Sequence, residues 1–85
     1  MSDKTVRNFD AVDLKDLTFP NIVVYYNTLD YPNVYVARLF DMDKPTNVVI
    51  VKDRFEEIKK SIPRFISNKI ERSHNDPKEI VCLYV

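Results

Sequence analysis

"VVIVKDRFEEIKKSIPRF", residues 48–65, decides the fold. The run Val48–Val51 is β-branched and apolar on both faces, as in a strand. At Asp53 the pattern changes. Phe55, Ile58, Ile62, Ile66 and Ile70 follow at spacings of 3, 4, 4 and 4, one helical stripe. Asp53 is a good N-cap, and Glu56 three residues later completes a capping box built on Asp. Pro63 lacks a backbone donor and crowds the carbonyl of Lys59. Because the stripe stays in phase past the proline, it predicts a kink or a tight break there.

Working outward, "NIVVYYN" (21–27), "VYVARLFD" (34–41) and "NVVIVK" (47–52) read as strands. Their short links suit antiparallel neighbours. "EIVCLYV" (79–85) is a last strand, apolar on both faces, and belongs inside the sheet. The expected fold is α+β: a mostly antiparallel four-stranded sheet in the order β-β-β-α-β, with one kinked helix packed on one face. Residues 1–18 form an arm, partly disordered or packed on the sheet through Val6, Phe9, Val12, Leu14 and Leu17, with Asp10, Asp13 and Asp16 outward. Residues 19–85 form a single domain.

The chain of 85 residues has no glycine. Loops that cradle phosphate through glycine backbone are therefore missing, and with them the Walker, dinucleotide and nucleophile-elbow motifs. Turns fall to Asn, Asp and Pro in "NTLDYPN", "DMDKPT" and "SHNDPK". Thirteen basic residues balance thirteen acidic ones, so there is no overall attraction to nucleic acid or anionic lipid. The mixed, polar start does not resemble a signal peptide, and no apolar run approaches the ~18 residues of a membrane span. The one cysteine, Cys82, suits a reducing compartment. The expectation is a cytoplasmic protein without membrane partner, metal or cofactor.

Residues suited to chemistry are sparse. Asp41 and Asp43 could share a cation, but they read as turn-forming acids at a strand end. His74, near Asp76, reads as a solvated turn residue, and Cys82 as a small core residue. A small hydrolytic enzyme using His74 and Cys82 is an alternative; the expected answer is not an enzyme, with no catalytic residue assigned.

Coverage points to binding instead. A helix is about 10 Å across. Four strands span roughly 15–19 Å. One helix shields most of one face and none of the other, yet both faces carry large apolar residues. Something must cover the rest: the arm, a second copy of the chain, or a different protein. Val23, Tyr25, Tyr35, Ala37 and Arg38 are the expected partner-binding residues. The expected action is protein–protein association, as a homodimer or an accessory subunit. Residues 52–78 carry eight basic and five acidic side chains. Lys59, Lys60 and Arg64 there are candidate phosphate contacts, which makes a nucleic-acid-associated regulator the alternative partner class. Glu56 and Lys60 stand at the favourable i, i+4 spacing for an ion pair.

Two resemblances accompany this reading. The strand-strand-strand-helix-strand order, with "VVIVKDRFEEIKKSI" entering the helix, resembles the HicB-like antitoxin domain over residues 21–85 and implies an antitoxin-like regulator. "YPNVYVARLFDMDKPTNVVIVKDRFEEI" is similar to small uncharacterised proteins of Gram-positive bacteria, often found near mobile genetic elements. That resemblance implies a bacterial origin and brings no activity and no functional residues.

Overall fold

A computed structural model describes residues 3–9 and 12–85. Among these residues the chain is α+β, with one α-helix and a six-stranded mixed sheet. The strands are β1 (Lys4–Thr5), β2 (Pro20–Tyr26), β3 (Tyr35–Asp41), β4 (Lys44–Lys52), β5 (Lys69–Glu71) and β6 (Ile80–Tyr84). The helix α1 (Phe55–Ser61) lies between β4 and β5, and a 3-10 turn (Arg64–Ile66) follows it. Across the sheet the order is β1-β4-β3-β2-β6-β5. All neighbours are antiparallel except β1, which runs parallel to β4.

The three long strands and the inner place of β6, between β2 and β5, agree with the sequence pattern. The four-strand count and the β-β-β-α-β order need correction. The arm contributes β1 at one edge, and Lys69–Glu71 forms β5 at the other. Ile70 thus leaves the helical stripe and becomes an exposed strand residue.

The helix is not kinked; it ends. Pro63 has no N–H to give and holds the preceding residue in the extended region. Ile62 accordingly sits at φ −79°, ψ 130°, and its N–H closes the last turn on the Lys59 carbonyl. Pro63 caps the 3-10 turn, which returns Ile66 to the core. At the other end the turn out of β4 takes one residue more than the sequence pattern allows. Arg54, not Asp53, is the extended N-cap, with no side-chain hydrogen bond, so the Asp53–Glu56 capping box does not form. Among the described residues the ion pairs are Arg38–Asp3 and Lys69–Glu71; Glu56 and Lys60 do not pair.

Residues paired across antiparallel strands share a face. On one side of the sheet Tyr84, Ile22 and Leu39 align, as do Cys82, Val24, Ala37 and Ile50. These residues are buried together with Ile58 of α1, Ile66 of the 3-10 turn and Phe9 of the arm. Val6, Val12, Leu14 and Leu17 pack around them. The Val12 N–H donates to the Phe9 carbonyl at 3.1 Å, and the Leu17 N–H to the Leu14 carbonyl at 3.2 Å. Helix and arm thus cover the same side; the Ser61 hydroxyl donates to the Glu57 carbonyl of its own helix at 2.9 Å and lies 3.5 Å from the Arg7 carbonyl of the arm. Asp13 and Asp16 are exposed; Asp10, expected outward with them, lies outside the described residues.

Candidate functional site: the open side of the sheet

Among the described residues no helix lies on the opposite side. One register row crosses all six strands there: Ile70, Leu83, Val23, Arg38, Val49 and Thr5. A second row aligns Tyr25, Val36 and Val51. The two halves of this side differ sharply.

Over β3, β4 and β1 the open side is closed by a polar clamp. Arg38 rises from the centre of the sheet. Its Nη1 and Nη2 donate to the two carboxylate oxygens of Asp3, each at 2.9 Å, and Nη1 also donates to the Thr46 carbonyl at 2.8 Å. The Tyr31 hydroxyl donates to Asp3 Oδ2 at 2.8 Å. Tyr31 comes from the loop 27–34, where its N–H bonds the Thr28 hydroxyl and Asn27 and Asn33 take positive φ. Beneath this cluster Val49 is 0% and Val36 2% exposed. A planar guanidinium gripping a carboxylate with two bonds is a strong, directional contact. The Arg38 guanidinium, helped by the Tyr31 hydroxyl, holds the Asp3 carboxyl below its ordinary 3.8. The carboxylate in turn raises the Arg38 and Tyr31 values. Burial pushes the Tyr25 hydroxyl up.

Over β2, β6 and β5 nothing comparable exists among the described residues. Val23, Leu83 and Val85 are half-buried, as is Phe40 of the neighbouring β3, and Ile70 is 45% exposed. At the strand ends Phe19 (51%) and Met42 (58%) flank a shallow groove of about 520 Å³, completed by Asn21, Asp43 and Val85. The buried Asn21 amide fixes its floor by donating to the carbonyls of Phe19 (3.2 Å) and Met42 (2.9 Å). The Asp41 carboxylate fixes its rim by accepting from the N–H groups of Thr18 and Phe19.

No protein-family model matches the chain, and neither a curated protein nor a solved structure matches it.

The five residues expected to face a partner do not share a surface. Val23, Tyr25 and Arg38 lie on the open side. Tyr35 and Ala37 lie on the helix side, because β3 pairs Arg38, not Ala37, with Val23. Ala37 is fully buried, and the Tyr35 ring packs against Tyr26 and Phe55 at 4.7 and 5.7 Å between centroids. Arg38 is engaged in the clamp. Lys59, Lys60 and Arg64 are exposed, along the end of α1 and the start of the 3-10 turn.

Asp41 serves the Thr18–Phe19 backbone, and Asp43 is an exposed turn residue. Among the described residues no three His, Cys, Asp or Glu side chains group as metal ligands. His74 lies in an exposed turn whose Asp76 carboxylate accepts from the Ser73 N–H. Cys82 is buried on the helix side next to Tyr84, and burial raises the ordinary values of both. A thiol kept protonated in that way packs as a small apolar group. The Tyr84 hydroxyl is buried and has no conventional partner among the described residues.

The sequence pattern missed Ile70, Leu83, Phe19 and Met42 as surface residues. The alternation of β6 did put Leu83 opposite Tyr84. Nothing local marked Ile70, which continued a helical stripe.

Proposed function

We propose that the chain acts by protein–protein association, through the uncovered half of the open side. The observation that carries this reading is the asymmetry of that side. Val36 and Val49 are closed over by the Asp3–Arg38–Tyr31 clamp, while Ile70, Leu83 and Val23 keep apolar surface along one register row and Phe19 and Met42 keep theirs beside Val85 at the strand ends. A lone exposed leucine or valine needs no explanation, but a contiguous apolar stretch on a small domain is a usual mark of an interaction site. No helix among the described residues is long and apolar enough to cross a membrane.

The test is a pair of measurements. Light scattering coupled to gel filtration gives the mass in solution, and an apolar-surface dye gives the exposed patch. Association predicts a dimer, or a monomer that binds dye and loses most of that signal in a Leu83→Lys variant. A monomer that binds no dye overturns the reading.

A second reading, a nucleic-acid-associated or antitoxin-like regulator, is favoured by the exposure of Lys59, Lys60 and Arg64 in one tract without an ion pair to a described residue. Three phosphate contacts would make log affinity for duplex DNA fall with log salt at a slope of about −3. Absence of binding at low salt removes this reading.

A further inference from the structure

We propose that β5 is the joint of a homodimer, in which two copies pair antiparallel through Lys69–Glu71 about a two-fold axis at Ile70. This names a second copy as the partner for the association proposed above and rests on that reading; the joint lies at the β5 edge of the uncovered half and merges the two halves into one larger face.

The phase of the hydrogen bonds comes first. Just before β5, Asn68 and Val85 exchange both backbone bonds, Asn68 N–H to Val85 carbonyl at 3.3 Å and Val85 N–H to Asn68 carbonyl at 3.0 Å. Along an antiparallel pair, doubly bonded and unbonded residue pairs alternate. The pairing continues as Lys69 with Tyr84, Ile70 with Leu83 and Glu71 with Cys82. Ile70 therefore spends its N–H and carbonyl on β6. Lys69 and Glu71 turn theirs the other way. Because β5 ends the strand order, that way leads off the sheet.

An antiparallel neighbour centred on Ile70 meets those groups in the correct phase. Residue 69 of one copy then faces residue 71 of the other, twice, and each of these pairs is of the doubly bonded kind. Four backbone bonds form without disturbing one already made. The two Ile70 residues meet as an unbonded pair, the kind with the closer side chains. They do so on the open side, so the apolar row Val23–Leu83–Ile70 continues into the row of the second copy.

Charge completes the match. The sequence Lys-Ile-Glu is self-complementary under this two-fold operation: Lys69 faces Glu71 of the second copy, and Glu71 faces its Lys69. All three residues are exposed, and Lys69 and Glu71 already bridge each other along the strand at 3.2 Å. Opposite charges directly across an antiparallel pair are favourable, and like charges unfavourable. An isologous contact also closes at two copies, so it does not lead to a filament. At the other edge the arm has already added a strand parallel to β4. The competing account is that Lys69 and Glu71 merely blunt a free edge, as charged residues on short edge strands do.

Charge exchange separates the two. Lys69→Glu and Glu71→Lys each place like charges opposite each other at both pairs of the dimer. Sedimentation over a concentration series is expected to show dimer affinity lowered about ten-fold or more in each variant. Mixing the two restores complementarity and a heterodimer of near-parental affinity. The double exchange, Lys69→Glu with Glu71→Lys, restores the homodimer. Glu71→Pro removes only an outward N–H and is tolerated at an edge; it is expected to weaken the dimer while circular dichroism stays unchanged, which covers the case of a charge variant that folds poorly. If the parent chain is a dimer and these variants dimerise as well as it does, the β5 joint is overturned while association through another surface stands. If the parent is a monomer at the highest attainable concentration, the homodimer is overturned, and dye binding alone decides the association reading.

Discussion

Met42 stands where most chains would place glycine. It opens the two-residue turn between β3 and β4 and takes φ 57°. An L-residue in the left-handed region costs roughly 1–2 kcal/mol. Three contacts hold it there: its N–H donates to the Phe19 carbonyl at 2.9 Å, its carbonyl accepts from the Asn21 amide, and Asp41 ties down Thr18 and Phe19. Replacing Met42 with glycine relieves the backbone but loosens the unfolded chain, worth about 0.4–1 kcal/mol. The expected net is a gain of about 0.5–1 kcal/mol, read from the urea midpoint. The same variant strips an apolar side chain from the open-side groove, so its binding of an apolar-surface dye is expected to fall as its stability rises. "DMDKPT" was legible as a turn because acids and proline cluster in it. Which residue would go left-handed was not legible, since Asn and Asp are the usual non-glycine choices and here a methionine does it. Face assignment failed for a different reason. Alternation within β2 and within β3 is local, but whether Val23 meets Ala37 or Arg38 depends on how the loop 27–34 closes. That loop is closed by Asn27, Asn33 and Thr28 through contacts that no periodicity reports.

Among the elements, the helix shows how far a stripe can mislead. Phe55, Ile58, Ile62 and Ile66 all reach the core side, as the spacing implies. Only the first three do so from α1 or its cap; Ile66 gets there through a separate 3-10 turn. Burial therefore survived where helical continuity did not, and Ile70 was carried along by phase alone. β5 was missed because three residues, two of them charged, carry too little pattern to compete with a stripe of one phenylalanine and four isoleucines. β1, two residues long, had no pattern at all. Pro63 tests the cause of the break. It is buried and takes φ −63°, so its ring fits its site without strain. Pro63→Ala is expected to destabilise the chain by about 1 kcal/mol, from lost packing and a looser unfolded state. Helical circular dichroism is expected to stay the same. Joining α1 to the 3-10 turn would swing Ile66 out of the core and break the Asn68–Val85 pair, and one alanine does not supply that. A clear rise in helix content would mean that the proline alone stops the helix.

Taken as one body, the sheet needs more cover than a helix gives, and the arm supplies part of it. One helix does not cover a sheet of this width. The arm joins the helix on one side and, crossing the β4 edge as β1, reaches the other side as well. Phe9, 1% exposed, anchors it among the core residues, and Asp3 anchors it in the clamp. The two anchors should separate with pH. The Asp3 carboxyl is held below 3.8 in the folded chain, mainly by Arg38 and next by Tyr31, and returns to its ordinary value on unfolding. The folded state thus binds this proton less readily than the unfolded one. The stabilisation is complete above 3.8 and fades as pH falls through the lower folded value. Because the clamp is partly exposed, its worth is about 1 kcal/mol. Unfolding free energies of the parent and of Asp3→Asn, from urea titrations across a pH series, are expected to differ by that amount near neutrality and to converge in acid. As they converge, dye binding to the parent is expected to rise, because Val36 and Val49 lose their cover while Phe9 keeps the arm on the helix side. A difference that persisted unchanged into acid would mean that the Asp3 charge contributes nothing and that the arm is held by apolar packing alone.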